Sequence, residues 1–428
     1  MSKRFCVDYL GCKVNSYEVN AIKEALENRG HFYDENNPEV VIVNTCSVTS
    51  VSDKKSRNLV RFYKKKYPNS IVIAMGCSTQ SSEISTYKDA GAHIIIGNDK
   101  KSQILDIFNN LEISSSFLVD IQYKTSDFKY DEIYTISQFD QIRAYVKIQD
   151  GCNNYCSYCL IPYIRGRSRS REKNNIIREI NNLVKNGYKE VVLTGIDVAS
   201  YGLDLYDNYT LSSLIESIMI ECPNLYRLRI SSIEESLVDE KFINLLEKYP
   251  AIADHMHLSL QSGSDSVLRR MNRKYSTEEF LTKVKKIMAV RPNMSLTTDI
   301  IVGFPGETEE NFLETVNFVK NCEFSKIHVF PYSIRSGTVA AKMKDQISPQ
   351  IKKERVNTLL KLSETLENCY IEKFVNKEVE FLIEQYDEKT HSYKGHSSNY
   401  LECSIKNCEL KVNDIIKYCV NFDSVKIS

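Results

Sequence analysis

The stretch Asp150-Gly151-Cys152-Asn153-Asn154-Tyr155-Cys156-Ser157-Tyr158-Cys159 holds three cysteines in the order C-x3-C-x2-C. Their number matters as much as their spacing. A structural zinc site closes with four ligands, and an electron-carrying four-iron cluster is held by four thiolates. Three thiolates leave one iron of a [4Fe–4S] cluster without a protein ligand, open to a substrate or cofactor. The plain alternatives are a partial zinc site or three core cysteines. They fit less well, because cysteine clusters in a reducing compartment are as a rule metal-binding or catalytic.

Outward from this loop the sequence alternates strand and helix. Strand patterns fall at 144–149, 190–194, 226–231, 255–260, 295–302 and 326–330, with helical patterns between them, for instance 172–185 and 307–320. Six βα units over residues 144–348 predict a partial (βα)6 TIM-like barrel, because a closed one takes eight units and about 250 residues. Upstream, over residues 1–112, short apolar runs at 5–10, 40–45, 71–75 and 93–96 alternate with helical patterns at 16–29 and 52–67. That rhythm predicts a doubly wound parallel α/β domain. Residues 113–143 are irregular and polar, and read as a linker. An amphipathic helix is expected over 349–374. Residues 375–428 then switch to β alternation at 379–384, 400–405 and 415–420, as in a small β-barrel.

The composition sets bounds on function. The 428 residues suffice for two to four domains of about 100–200 residues each. A hydrophobic share of 42% supports a large core and excludes wholesale disorder. Lys+Arg and Asp+Glu are both 56, so any nucleic-acid surface must be a local patch. One such patch is 54–66, with seven basic residues and no acid; its bland reading is a solvated helix face. No apolar run approaches the ~20 residues that cross a bilayer, and residues 1–15 lack a leader pattern. A soluble, cytoplasmic protein with no membrane partner is expected, and its thirteen cysteines are then not a disulfide framework.

A second trio stands out. Cys12, Cys46 and Cys77 each follow the carboxyl end of a predicted parallel strand, where open α/β sheets gather ligands. A lone cysteine there would be a small core residue. Three at equivalent positions predict a second open-site cluster. The other cysteines, Cys6, Cys222, Cys322, Cys369, Cys403, Cys408 and Cys419, read as buried small residues, and the seven histidines as unclustered.

With these trios go Gly11-Cys12-Lys13-Val14-Asn15, Leu193-Thr194-Gly195-Ile196-Asp197, Arg229-Ile230-Ser231-Ser232-Ile233-Glu234, Leu260-Gln261-Ser262-Gly263-Ser264 and His328-Val329-Phe330-Pro331-Tyr332-Ser333. On these motifs the whole chain resembles the radical S-adenosylmethionine (SAM) methylthiotransferases. The resemblance implies an auxiliary-cluster domain over 1–112, a radical-SAM barrel over 144–348 and an RNA-binding TRAM barrel over 375–428. It implies two [4Fe–4S] clusters, one on Cys152, Cys156 and Cys159 with SAM on its open iron, and an auxiliary one on Cys12, Cys46 and Cys77. Residues 11–15 resemble the branch that attaches a methylthio group to ring carbon 2 of threonylcarbamoyladenosine beside the anticodon. The rival readings are the same chemistry on isopentenyladenosine or on a ribosomal-protein aspartate, and a metal-stapled RNA-binding protein without catalysis. The partners implied are a tRNA anticodon stem-loop, a low-potential electron donor of flavodoxin or ferredoxin type, and a sulfur source. Ring carbon 2 is unactivated, so a cofactor must carry the hard step. The protein's share is positioning and dryness.

Individual residues fit that share. Tyr158 offers an aromatic face to the SAM adenine. Gly195 lets the backbone approach the SAM amine closely, or is an ordinary turn glycine. Ser232, Glu234 and Gln261 stand at strand ends facing the barrel mouth, to hydrogen-bond SAM or merely one another. Arg165, Arg167, Arg169 and Arg171 follow the cysteine loop and suit tRNA phosphates or acidic groups of SAM and substrate, with salt bridges to the next helix as the alternative. From Asn376 on there are seven Lys against nine Asp+Glu, which weakens the case for RNA binding by the last domain.

Overall fold

A computed structural model describes residues 2–98, 101–111, 118–121, 128–133, 142–205, 209–406 and 409–427. Two strands of the first domain, Val40–Thr45 and Ile71–Gly76, are almost wholly apolar and buried at every position. Central parallel strands covered on both faces require such sequences. They sit in the middle of a six-stranded parallel sheet in the order Phe32–Tyr33, Arg4–Tyr9, Val40–Thr45, Ile71–Gly76, Ile94–Ile96, Leu118–Asp120. One face carries a core of Phe5, Ile22, Leu26, Ile42, Ile73 and Phe108; the other packs Val41, Val43, Val60, Val72 and Ile95. The expected linker is therefore shorter than read. Leu118–Asp120 pairs with Ile94–Ile96, and Ile133 is buried in the first core. The rest of that expectation, residues 113–117, 122–127 and 134–141, lies outside the described residues.

The barrel has the six strand positions expected. Arg143–Lys147, Glu190–Thr194 and Arg227–Ile230 form one parallel sheet; His255–His257, Ser295–Val302 and Lys326–Pro331 form another. Isolated bridges Leu228↔Ile252 and Ile233↔Leu258 join the two halves. The strand expected over 255–260 is regular only over His255–His257. Beyond it the chain touches its neighbours by single bridges, and Gln261 takes a left-handed φ of 68°. The long helix Pro349–Glu372 starts on a Ser348 cap with Pro at its first position. It lies along the last barrel strand, where Ser363 Oγ accepts from Ile327 N at 2.9 Å.

The last domain is a five-stranded antiparallel sheet, ordered Ile415–Cys419, Glu378–Asp387, Ser392–Ser397, Leu401–Lys406, Val425–Ile427. The sequence does not announce Ser392–Ser397, because its buried positions are filled by Ser392, Gly395, His396 and Ser397 instead of apolar residues. Val425–Ile427 is too short to read. The sheet docks at the amino-terminal end of the barrel strands: Arg229 donates to the carbonyls of Ser397 (3.1 Å) and Ser398 (3.2 Å), and Arg143 pairs with Glu384 at 3.0 Å. Cys6, Cys222, Cys322 and Cys403 are buried as expected, but Cys369 and Cys419 are exposed. Cys408 lies outside the described residues.

Candidate active site

Parallel register brings the distant cysteines to one edge. Thr45 pairs with Gly76, so Cys46 and Cys77 follow side by side at the strand ends. Gly11 has φ 110°, and a Cβ there would stand 2.7 Å from Cys46 Sγ. Only glycine lets the Cys12 loop close on Cys46. Asn15 Nδ2 pins that loop through the carbonyls of Leu10 (2.7 Å) and Thr45 (3.2 Å). Cys12 is exposed, whereas Cys46 and Cys77 are buried. Burial pushes the Cys46 thiol up to about 11, with the neighbouring Cys77 and Cys12 adding to it. A bound cation reverses that preference and deprotonates the thiol.

The Cys152–Cys159 loop is supplied with donors aimed at sulfur. Asn154 N donates to Cys152 Sγ, Ile161 N to Cys159 Sγ and Arg273 Nη1 to Cys156 Sγ, each at 3.4 Å. Such donors stabilise thiolate and tune an iron–sulfur cluster. Without a metal, burial pushes the Cys159 thiol up to about 11, and burial with Asp197 pushes Cys152 up as well. A second segment clamps the loop. Ser157 N and Oγ donate to the carbonyls of Met271 (3.0 Å) and Arg270 (2.8 Å), and Asn272 Nδ2 donates to Tyr155 O at 2.9 Å. Beside Cys156 lies a cavity of about 260 Å³ lined by Asp197, Ser200, Glu234, Asn272 and Arg273. Glu234 is ion-paired to Arg273, and burial still holds its carboxyl above the usual range.

The other expected site residues are placed unevenly. Tyr158 is half-buried and meets Phe304 edge-on at 6.4 Å. Glu234 lines the cavity beside Cys156, but Ser232 lines a different one. Gln261 is held by its backbone, its N–H on Asp299 O and its carbonyl on Ile301 N, both 2.9 Å. The space over Gly195 is already taken: a Cβ would meet Val198 at 2.8 Å and Gln149 Oε1 at 3.0 Å. Gln149 needs that approach to accept from Ile196 N (3.0 Å) and Asp197 N (2.8 Å).

The arginine run needs correction. Arg165, Arg169 and Arg171 are buried, so they do not present charge to RNA phosphates; of the four, Arg167 is exposed. Arg165 joins Asp150 (3.0 Å), Glu18 (3.3 Å) and Asn15 (3.0 Å), and its Nε donates to Cys77 Sγ at 3.1 Å. Lys147 joins the same two carboxylates, Lys101 joins Glu18, and Arg169 joins Asp150. Burial alone would raise both carboxyls; the surrounding cations hold Glu18 and Asp150 far below the usual range. Arg171 pairs with Glu179 on the following helix, as the alternative reading has it. The histidines also depart from expectation, because His255, His257 and His328 line one cavity.

Among the described residues, no three His, Cys, Asp or Glu side chains stand close enough to hold a single metal ion. A four-iron cluster places each thiolate on a separate iron and takes a wider triangle. Both trios offer soft sulfur ligands, backed by Arg165 at Cys77 and by Arg273 at Cys156. Residues 146–319 match the model of the Radical SAM superfamily, and 4–97 match "Uncharacterized protein family UPF0004". The chain is 38% identical over 415 residues to "Threonylcarbamoyladenosine tRNA methylthiotransferase MtaB" of Bacillus subtilis, covering 95% of this chain and 91% of the relative. It is 33% identical over 390 residues to "tRNA-2-methylthio-N(6)-dimethylallyladenosine synthase" of Acetivibrio thermocellus, covering 89% and 81%.

The chain belongs to the radical-SAM methylthiotransferases.

As a member, this methylthiotransferase is a radical-SAM enzyme that works with [4Fe–4S] clusters and SAM. Its fold is shared with the radical SAM methyltransferase TsrM of Kitasatospora setae, at TM-score 0.62 and 14% identity over 80% of this chain and 77% of that one. No helix among the described residues is long and apolar enough to cross a membrane. Sequence reasoning passes over Arg273 and Asn272. The run Arg269-Arg270-Met271-Asn272-Arg273-Lys274 is a visible basic signal, but nothing local links it to a cysteine loop more than a hundred residues away.

Proposed function

We propose that this enzyme attaches a methylthio group to ring carbon 2 of threonylcarbamoyladenosine beside the anticodon of a tRNA. The observation that carries the reading is near-full-length similarity to threonylcarbamoyladenosine methylthiotransferases, at 35–38% identity in four bacteria. Cys152, Cys156 and Cys159 would hold the cluster that binds SAM, and Cys12, Cys46 and Cys77 the auxiliary one. When bound, these groups supply one-electron cleavage of SAM and a site for the transferred sulfur.

The chain's own residues do the holding. Arg273 donates to Cys156 Sγ while fixing Glu234 at the edge of the cavity where SAM would lie. Asn272 and Ser157 keep the cysteine loop in one shape. Tyr158, packed edge-on against the buried Phe304, would offer its ring to an adenine and help to exclude water. Arg165 Nε donates to Cys77 Sγ and holds that side chain in place at the strand end. For tRNA, the helix Ser50–Lys66 exposes Lys54, Lys55, Arg61, Lys65 and Lys66, and Arg167 adds a further cation. Phosphate contact from such a face gives affinity without sequence preference. The last domain is TRAM-like in place and strand pattern. A flavodoxin- or ferredoxin-type electron donor and a sulfur source complete the cycle, in the cytoplasm.

Mass spectrometry of tRNA nucleosides from cells with and without the protein tests this. The 2-methylthio derivative of threonylcarbamoyladenosine should vanish on deletion and its precursor accumulate. Loss of the isopentenyladenosine derivative instead would establish the rival substrate. Anaerobic reconstitution should give about eight irons per chain; zinc with no SAM cleavage would leave only a metal-stapled binding protein.

A further inference from the structure

A cavity of about 240 Å³ is lined by Lys13 of the first domain, Arg229, His255, His257 and His328 of the barrel, and Tyr400 of the last domain. Its size suits a small polar substituent, since drug-sized ligands take about 300 Å³ or more. Among the described residues no Asp or Glu lines it, although Asp299 Oδ2 stands 3.3 Å from His257 Nε2. The register explains why three histidines meet. His255 and His257 share one face of their strand, His257 pairs with Thr297, and Asp299 beyond it pairs with His328.

Two cationic side chains point here in different states. Arg229 is occupied: its Nε donates to Glu190 at 2.7 Å, its Nη atoms reach backbone carbonyls, and it covers the Tyr400 ring at 4.6 Å. Lys13 has neither an ion pair nor a hydrogen bond among the described residues. His255 is nine-tenths buried and stacks on Tyr400 at 4.3 Å, and its Nδ1 has no hydrogen-bond partner among the described residues. Burial and Arg229 hold His255 neutral, so this nitrogen is a hydrogen-bonding group and not a charge. Burial would raise the Tyr400 phenol, yet Arg143, Lys13 and Arg229 draw it down to about 8, a sign of net positive potential in the cavity. Buried polar groups left in this condition cost free energy unless an anion or hydrogen-bonding ligand meets them.

Short chain segments tie the cavity to both cysteine trios. Lys13 directly follows Cys12 and opens the helix Lys13–Asn28. Ser232, which also lines it, is two residues before Glu234, which lines the cavity beside Cys156. A substituent on an adenine held between the trios would reach it.

We infer that this cavity receives the carboxylate of the threonyl group of the modified adenosine, with Lys13 as its counter-ion. This deepens, and rests on, the threonylcarbamoyladenosine reading above. An isopentenyl substituent would bury an apolar group against Lys13 and His255 and leave both unmet, so the cavity selects between the two substrates of the family as well as binding one.

The test uses the cluster-loaded full-length enzyme under anaerobic conditions and three anticodon stem-loop RNAs. One carries threonylcarbamoyladenosine, one the same base with its carboxylate converted to the primary amide, and one isopentenyladenosine. The wild-type enzyme should bind the carboxylate RNA about 10–100-fold more tightly than the amide, the range of one charge-assisted hydrogen bond. Lys13→Gln should bind both alike with unchanged iron content, and Lys13→Arg should restore most of the preference. Equal binding of acid and amide by the wild-type enzyme overturns the inference while leaving the function intact. So does a Lys13→Gln enzyme that weakens on both RNAs equally. Methylthiolation of the isopentenyladenosine RNA in place of the threonylcarbamoyladenosine RNA overturns the functional reading itself.

Discussion

Arg165 is fully buried, and its guanidinium reaches Cys77, Asn15, Glu18 and Asp150 at once. No other side chain could fill that geometry, because a lysine ammonium lacks the planar fork. Removing it leaves two buried carboxylates short of a cation. Arg165→Met should cost about 3–5 kcal/mol in urea unfolding, the range for breaking one partner out of a buried ion pair. Arg165→Lys should recover only part of it. Iron bound at the auxiliary trio should fall in both. A third buried carboxylate supplies a pH signature. Burial would raise Glu190, but Arg229 and Arg227 draw it down to about 2. A depressed carboxyl stabilises the fold above its unfolded pKa of about 4.3 and loses that contribution as pH falls towards 2. The contribution is about 3 kcal/mol at neutral pH. Urea midpoints of wild type and Glu190→Gln should therefore differ at pH 6 and converge between about pH 4 and pH 2.

At the scale of elements, the helix Asp265–Arg270 and the turn after it act as a clamp on the cysteine loop. Asn272→Ala would free the carbonyls of Tyr155 and Asn154 and loosen the loop. The expected cost to global stability is about 1 kcal/mol, that of one or two partly exposed hydrogen bonds. The larger effect should be kinetic: iron should leave the loaded enzyme to a chelator several-fold faster, followed by loss of brown absorption. That clamp also marks where sequence reading stops. Strands such as Val40–Thr45, Glu190–Thr194 and Ser295–Val302 are legible to their bounds, because each carries a short apolar run of buried-strand type, Val40–Val43, Val191–Leu193 and Ile300–Val302. Both cysteine trios stand out in the sequence by count and by the strand ends they follow, and the clusters they would hold remain part of the proposal. The arginines at 165, 169 and 171 are not, because a basic run looks the same on a solvated loop as in a buried network. Their partners Glu18, Glu132 and Glu179 are set by tertiary contact. The histidine cavity has one local sign, the i, i+2 pair His255 and His257, and its third member comes from a neighbouring strand.

At the scale of the molecule, charge joins the two cysteine-bearing domains at two places among the described residues. One is the Arg165 network; the other is Arg335, which pairs with Asp53 and donates to Ser47 O at 2.7 Å. The second tie fixes the start of the helix Ser50–Lys66 against the barrel, so its exposed lysines keep a set position relative to the barrel. A tRNA that inserts one base there must lay its backbone along nearby surface, and with zero net charge overall such a local patch has to supply the attraction. Lys54→Glu with Lys65→Glu should therefore weaken binding of an anticodon stem-loop without changing its preference among modified bases. The slope of log affinity against log salt should become shallower by about 0.7–0.9 for each phosphate the variant no longer neutralises. Both positions are exposed, so thermal stability should stay within about 0.5 kcal/mol of wild type. Iron content and SAM cleavage without RNA should not move. An unchanged salt slope would place the tRNA backbone on another face, and would turn attention to Arg167 and the last domain.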